Sequence, residues 1–147
     1  MGYPRAKRPK SAEGVSVGCV LEFDAKNAVL RATIEGVATD KSLLECYATV
    51  VKYFASHPPC RGILVFSHAK FEVSSDVVKR LASGASAFPA GFMRVFVTPT
   101  DVVYGMARMF QILAEKRGPD LHIVRTLEDA YKLLQLESPE FGPVPPL

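Results

Sequence analysis

The sequence predicts an α/β fold in which helices alternate with the strands of a mixed, mostly parallel sheet. Two half-buried strands come first, because apolar and polar residues alternate over residues 17–24 and again over residues 30–35. Helical stretches and short apolar runs then alternate through residue 134. Such alternation is typical of parallel strands joined by right-handed crossovers. We therefore expect the order ββαβαβαβ followed by a final helix, with the opening strands forming an N-terminal antiparallel β-hairpin.

The length and charge of the chain indicate one domain with two tails. A chain of 147 residues is sized for a single domain. We expect a flexible basic tail over residues 1–14, the domain over residues 15–136 and a Pro-rich tail over residues 137–147. The formal net charge is +3, but four positive charges come from Arg5, Lys7, Arg8 and Lys10. Because a nucleic-acid-binding domain carries its positive charge on a folded face, this distribution argues against nucleic acid as a partner.

The hairpin and the first helix follow from local patterns. Residues 25–28 are short and polar enough for the hairpin turn. Thr39 and Asp40 are alternative N-caps for the helix that follows. Its apolar positions recur at helical spacing, and they are Leu43, Leu44, Tyr47, Val50, Val51 and Phe54. Two prolines at residues 58–59 end this helix.

The second half of the chain repeats a strand–helix unit. A continuous apolar run, as expected for a strand that is covered on both faces, lies at residues 63–66. Residues 95–97 form another apolar strand, and residues 121–124 form a short strand. The helices that follow begin near Ser74, Thr100 and Thr126, all of which are good N-caps. Gly105 lies inside the third helix, where glycine costs about 1 kcal/mol relative to alanine. We therefore expect close packing or a crowded contact at Gly105.

A segment after the central strand carries a resemblance to a known family. Residues 71–76 have the sequence Phe-Glu-Val-Ser-Ser-Asp. Together with the topology of residues 16–136, this segment resembles the STAS domain family, named for sulfate transporters and anti-anti-sigma factors. The family signature is an Asp-Ser-Ser-Gly turn, and here Val73 and Asp76 replace its aspartate and glycine. Two later stretches, residues 104–110 and 124–130, are similar to a bacterial branch often called SpoIIAA-like.

The resemblance implies a regulatory role for the serine pair. In the regulated members of the family a partner kinase phosphorylates the first serine of the pair, which by position is Ser74. The resemblance therefore implies a non-enzymatic protein-interaction module, with Ser74 or Ser75 as the phosphorylation site. It also implies a protein partner, such as a kinase or an anti-sigma-like regulator. The alternative is that Ser74 serves only as the N-cap of its helix.

Further candidate residues lie where strands end and helices start. In an open parallel sheet the carboxyl ends of the strands gather along one edge. The candidate contacts for a partner or an anion are His68, Thr98, Thr100, Arg108 and Arg125. Helix N-termini and arginine side chains both bind phosphate or carboxylate groups. Helix capping alone would also place hydroxyls at these points, and Arg108 also fits a solvated helix face.

Nothing in the sequence predicts a catalytic residue, a metal ligand set or a cofactor site. Neither a nucleophile elbow nor a Gly-rich phosphate loop is present. The three cysteines are odd in number and widely spaced, which suggests neither a disulfide framework nor a zinc site. We expect Cys19 to be a core residue and the protein to be cytoplasmic, without a membrane span. The sequence leaves the oligomeric state open, including a weak homodimer.

Two other functions are kept as alternatives to the interaction module. The first is a small-molecule or lipid-binding protein of the same fold, because the wider fold group includes lipid carriers. Its apolar and aromatic supply consists of Phe54, Phe88, Phe92, Met93, Met106, Met109 and Phe110. Most of these side chains also suit the core. The second alternative is an enzyme that uses the strand-end edge.

Overall fold

The computed structural model describes residues 15–16, 18–67, 70–117 and 120–144, and its architecture is the predicted α/β fold. The N-terminal tail predicted for residues 1–14 lies outside the described residues. In chain order the elements are β1 (Val15–Ser16), β2 (Cys19–Asp24), β3 (Val29–Ile34), β4 (Ala38–Thr39), α1 (Asp40–Ser56), β5 (Arg61–Phe66), β6 (Phe71–Glu72), α2 (Ser75–Ser83), β7 (Arg94–Val97), α3 (Asp101–Leu113), a 3-10 turn (Glu115–Arg117), β8 (Leu121–Val124), α4 (Leu127–Leu133) and β9 (Gly142–Pro143).

The main sheet is mixed and is entered through the predicted hairpin. Its strands lie in the order β9-β2-β3-β5-β7-β8, and β1 also pairs with β2. The neighbours from β3 to β8 are parallel, whereas β2 pairs antiparallel with β1, β3 and β9. The register places Ala32 beside Leu64 and Leu64 beside Phe96. A second, two-stranded parallel sheet of β4 and β6, which the sequence analysis missed, lies apart from it.

The helices cover both faces of the main sheet. The crossovers from β3 to β5, β7 and β8 all move in one direction, so right-handed connections place α1, α2 and α3 on the same face. Residues of these helices form one core cluster with Leu64, Phe66 and Phe96. On the opposite face α4 packs Ala130 against a second cluster that includes Ile63. Alternate residues of β5 therefore pack into two different cores, which explains why residues 63–66 are continuously apolar.

Hydroxyl side chains cap all four α-helices of the described chain. Thr39, rather than the alternative Asp40, is the N-cap of α1, and its hydroxyl and that of Ser42 form a reciprocal capping box. Ser74, Thr100 and Thr126 cap α2, α3 and α4, and each side chain accepts a hydrogen bond from a backbone N–H three residues later. The predicted helix starts are thus confirmed. Each cap satisfies a backbone donor that the first helical turn leaves open.

The C-terminal segment requires a correction. The sequence predicts a Pro-rich tail over residues 137–147, but β9 pairs with β2 and Val144 is buried in the main core. Phe141 stacks on Tyr131, with 5.8 Å between ring centroids. The Arg31 guanidinium lies 4.2 Å from the centre of the Phe141 ring. Prolines are tolerated here because an edge strand does not need every backbone donor. The domain therefore extends at least to residue 144.

Two further features bear on function. An added Cβ at Gly105 would meet no atom within 4 Å, so the expectation of close packing there is wrong. Glycine instead leaves open space on an exposed helix face. Within the part of the chain described here, no helix has the length and apolarity that crossing a membrane requires.

Candidate functional site

Ser74 lies on the surface at the point where α2 begins. Its hydroxyl accepts a hydrogen bond from the backbone N–H of Val77 at 3.2 Å, which makes it the N-cap that the sequence predicts. Both Ser74 and Ser75 are exposed. Ser75 is the first residue of the helix, so its hydroxyl is not needed for capping. The structure therefore leaves both serines of the candidate pair accessible to a partner.

A carboxylate from another helix holds Ser74 in place. The backbone N–H of Ser74 donates to Oδ1 of Asp40 at 2.6 Å, and its hydroxyl donates to Oδ2 at 3.0 Å. Asp40 is the first residue of α1, so one carboxylate joins the starts of two helices. Hydrogen bonds to an ionised acceptor are roughly twice as strong as neutral ones. We name Ser74 and Asp40, with these two bonds, the serine clasp.

The short sheet of β4 and β6 creates the serine clasp. Thr39 pairs with Glu72 in a parallel register, and the backbone N–H of Ala38 donates to the carbonyl of Lys70 at 2.9 Å. This pairing brings residue 40 to the start of α2. Sequence analysis considered Asp40 only as an alternative N-cap and missed its contact with Ser74. The sequence does show an acidic residue beside an N-cap. It does not show that Asp40 contacts Ser74, because that contact depends on the pairing of two two-residue strands, which have no distinctive pattern.

Arg125 is fastened to the start of α3. Its Nε donates to the carbonyl of Thr98 at 2.8 Å, and one terminal nitrogen donates to Oδ1 of Asp101 at 3.0 Å. The guanidinium also lies 5.3 Å from the ring centre of Tyr104. Although the side chain is about half exposed, at 45%, these contacts use much of its donor capacity. The structure thus gives Arg125 a structural role at this edge and leaves part of it accessible.

The two threonines of the candidate set are used by the fold. Thr98 is fully buried, and its hydroxyl donates to the carbonyl of Val124 at 2.9 Å, so it offers nothing to a surface partner. Thr100 caps α3 by accepting a bond from Val103. The structure therefore brings Thr98, Thr100 and Arg125 together as predicted. Both threonines therefore fit the alternative interpretation, in which their hydroxyls serve the fold and not a ligand.

Arg108 lies away from this edge. Its guanidinium donates to the amide oxygen of Gln111. The amide nitrogen of Gln111 donates in turn to the carbonyl of Leu121 at 2.9 Å. Leu121 and Arg94 are the first residues of their strands, so Arg108 belongs to the opposite, amino-terminal end of the sheet. An open pocket there, of about 630 Å³, is lined by Arg94, Arg108, Gln111, Ile112, Ala114, Glu115, Leu121 and His122. His68, the remaining candidate, lies outside the described residues.

An apolar cavity lies between the main sheet and helices α1, α2 and α3. Its volume is about 70 Å³, and among its lining residues are Cys46, Phe88, Phe96, Met106 and Phe110. Three of these, Phe88, Met106 and Phe110, belong to the apolar set that the sequence analysis assigned to a ligand site or to the core. The lining is almost wholly apolar. A cavity of about 150 Å³ is enough for benzene, so this one takes only a smaller molecule.

A serine and a histidine meet at the end of α1 but are not arranged for catalysis. Ser56 Oγ lies 3.2 Å from His57 Nδ1, which also lies 2.8 Å from the carbonyl of Tyr53. Because a carbonyl oxygen only accepts, Nδ1 donates to Tyr53 and is not a base for the serine. In the described ranges, no three His, Cys, Asp or Glu residues are grouped as metal ligands.

Comparison with protein-family models, curated proteins and solved structures finds no match to this chain. The architecture is consistent with the fold that the resemblance implies, because the sheet is mixed, begins with an antiparallel pair and carries the serine pair after a central strand. Membership of the STAS family and the function that it implies remain proposals.

Proposed function

We propose that this protein is a non-enzymatic interaction module of STAS-like type that docks a protein partner through the edge around Ser74. In this proposal the partner is a kinase or an anti-sigma-like regulator, and the setting is the bacterial cytoplasm. Phosphorylation of Ser74 switches the interaction. Support comes from the exposure of Ser74, from the two helix starts that meet there and from the resemblance of residues 71–76 to the family signature.

The serine clasp is the observation that carries the proposal. A phosphate on Ser74 would add about −1.5 to −2 charges beside the Asp40 carboxylate. The hydroxyl proton now donated to Asp40 at 3.0 Å would be lost, and like charges would replace an attraction. The positive end of the α2 dipole favours the phosphate, whereas Asp40 opposes it. Phosphorylation would therefore separate the starts of α1 and α2 and change the surface that a partner meets.

The surface around the serine clasp combines charged and apolar side chains. Glu72 and Asp76 flank Ser74 in the sequence, and both are exposed. Exposed apolar side chains lie at helix and strand starts of the same edge, with Val102 62% and Val37 44% exposed. Protein contact surfaces commonly combine apolar residues with a polar rim. A partner with an apolar centre and a polar rim would fit this combination.

The test is affinity capture from native-host extract with the full-length chain as bait. Ser74→Asp introduces a negative charge beside Asp40. Ser83→Asp, at the other end of α2, is the matched control because Ser83 is also exposed. We expect one protein to be retained by the wild type, by Ser74→Ala and by Ser83→Asp, and to be lost with Ser74→Asp. A captured set that is identical for all four baits would contradict the proposal.

The apolar cavity favours a second candidate, a binder of small apolar molecules. The cavity of about 70 Å³ restricts the ligand to a few non-hydrogen atoms, since pockets for drug-sized ligands measure about 300–1,000 Å³. Native mass spectrometry of protein from the native host tests this candidate. A noncovalent adduct that disappears under denaturing conditions would support it. A protein that carries no adduct and takes up no xenon under pressure would exclude it.

A further inference from the structure

Two buried thiols meet between the main sheet and α1. Cys19 is the first residue of β2, and Cys46 lies in the second turn of α1. The Cys19 thiol donates to Cys46 Sγ, with 2.7 Å between the sulfur atoms. The exposed fractions of the two residues are 0% and 1%. A disulfide bond is about 2.05 Å long, so a small movement of the side chains brings the two sulfur atoms to bonding distance.

The fold itself fixes this pair. Cys19 pairs with Ile34 across the hairpin, and its strand is held on both sides by neighbouring strands. The start of α1 is fixed by its capping box, and Val50, one turn beyond Cys46, is buried in the same core cluster. Neither cysteine belongs to a mobile loop. The contact is therefore a property of the folded state.

One of the two thiols borders open space. Cys46 lines the apolar cavity, and Cys19 does not. A cavity of about 70 Å³ exceeds the space that a single water-sized molecule occupies. Hydrogen peroxide is little larger than water, so the cavity has room for it beside Cys46. The hydrogen bond with Cys19, together with burial, raises the pKa of the Cys46 thiol well above its usual range. Because the thiolate is the nucleophile, oxidation requires sustained exposure to peroxide.

We propose that Cys19 and Cys46 are an oxidation site at which peroxide forms an intramolecular disulfide. The Cys46 sulfur first attacks peroxide, which breaks the O–O bond and gives a sulfenic acid and one water. The Cys19 sulfur then attacks the sulfenic sulfur, forming the S–S bond and releasing a second water. Two thiols and one peroxide thus give one disulfide and two waters. Cys46 is the residue that peroxide oxidises, and Cys19 is the residue that resolves it.

The disulfide would restrain α1 against the sheet. It closes a loop between residues 19 and 46, and closure of a loop this long shifts the folding equilibrium by on the order of several hundred-fold. The restrained helix begins with Asp40, the residue that holds Ser74. Oxidation would therefore stiffen one side of the edge proposed for partner docking. The cross-link itself does not depend on the interaction proposal, because it rests only on the two thiols and the cavity.

The test is peroxide treatment of the reduced, full-length protein, followed by alkylation under denaturing conditions and intact mass measurement. The chain has three free cysteines, which include Cys60. We expect the treated protein to take up one label instead of three. After the mass of the labels is subtracted, it should be about 2 Da lighter than the reduced protein, because a disulfide bond lacks two hydrogens. Cys60→Ser is the matched control and should behave in the same way. Cys19→Ala and Cys46→Ala should show no loss of 2 Da.

Other outcomes would overturn the proposal. One is that all three thiols remain alkylatable after a peroxide treatment that does oxidise a control peptide with a free thiol. The others are a sulfinic or sulfonic product on Cys46 and a cross-link that includes Cys60. If an alanine variant fails to fold, peptide mapping of the oxidised wild type under non-reducing conditions decides the matter. A linked peptide pair that contains Cys19 and Cys46 supports the proposal. Its absence contradicts it.

Discussion

At the scale of single residues, Asp40 organises the candidate site. Its carboxylate accepts two hydrogen bonds from Ser74 while it lies at the start of α1, where the helix dipole favours a negative charge. Ser74 caps α2 and joins α1 to α2, and it is also exposed to solvent. A modification at this one hydroxyl would therefore act on two helices.

The serine clasp predicts energetic coupling between Asp40 and Ser74. Asp40→Asn weakens two charge-assisted bonds and should lower the free energy of unfolding by about 1–2 kcal/mol. Urea unfolding of Asp40→Asn, Ser74→Ala and the double variant should give a coupling energy of at least about 0.5 kcal/mol. The control is Asp76→Asn, at an exposed residue in the first turn of α2, which should change the free energy of unfolding by less than about 0.5 kcal/mol. Additive effects of the two substitutions would contradict a stabilising bond between the two side chains.

Asp24 is a second residue whose carboxylate holds separate segments together. It is fully buried at the end of β2 and accepts bonds from the side chain and backbone of Asn27 and from the backbone N–H of Glu140. Burial alone would raise the pKa of Asp24, but these hydrogen bonds together outweigh it and hold the pKa below its usual range. The folded state therefore favours the ionised carboxylate, which links the hairpin turn to the C-terminal segment.

The lowered pKa of Asp24 predicts a pH-dependent loss of stability. Asp24→Ala leaves buried donors without an acceptor and should cost about 2–3 kcal/mol at pH 7. The contribution of Asp24 is fully present above its unfolded pKa of about 3.9 and is lost as the pH falls through its lower folded pKa. Urea unfolding from pH 7 to pH 3 should show the gap between wild type and variant narrowing in the acid range. A gap that widens toward low pH would contradict this assignment.

At the scale of elements, two glycines illustrate opposite demands. Gly105 lies in α3 beside open space, whereas a Cβ at Gly62 of β5 would lie 2.3 Å from Cε1 of the buried Phe88 ring. Gly105→Ala should therefore stabilise the protein by about 1 kcal/mol, because glycine is a poor helix former. Gly62→Ala should destabilise it by about 1–3 kcal/mol, because the ring must move within a packed core. Thermal unfolding of both variants tests the pair, and a destabilising Gly105→Ala would contradict the description of α3.

Because β9 belongs to the main sheet, we expect truncation of the C-terminal segment to lower the free energy of unfolding. Ending the chain at residue 137 removes β9, the buried Val144 and the stack of Phe141 on Tyr131. Loss of Val144 and Phe141 alone should cost about 3 kcal/mol, because Val144 is buried and the larger Phe141 side chain is half-buried. The urea midpoint of the truncated chain should fall well below that of the full chain. Equal midpoints would restore the interpretation of residues 137–147 as a tail outside the domain.

The elements differ in how well the sequence predicts them. Apolar periodicity and cap residues such as Thr39 and Thr100 predict the long helices and the main strands, because those signals are local. The pairing of β4 with β6 and of β9 with β2 was missed, since two-residue strands have no periodicity and their partners lie far along the chain. The contact of Asp40 with Ser74 depends on the first of these pairings. Candidate residues can thus be found from sequence, but not their partners.

At the scale of the whole molecule, α1 connects the features discussed above. Its first residue holds Ser74, its second turn carries the thiol that meets Cys19, and its inner face lines the apolar cavity. A change at any of these three places acts on the same helix. Under the proposals made for Ser74 and for the thiol pair, partner docking and oxidation would both act on α1.

The central claim is that Ser74 is a phosphorylation switch, and phosphosite mapping of protein purified from its native host tests it most directly. The account predicts a fraction of chains with a single phosphate, about 80 Da heavier, located on Ser74. Exchange of Ser74 for alanine in the host should abolish the modified form, whereas exchange of Ser83 should not. Protein from every growth condition without phosphate on Ser74, or with phosphate only on another residue, would contradict the account.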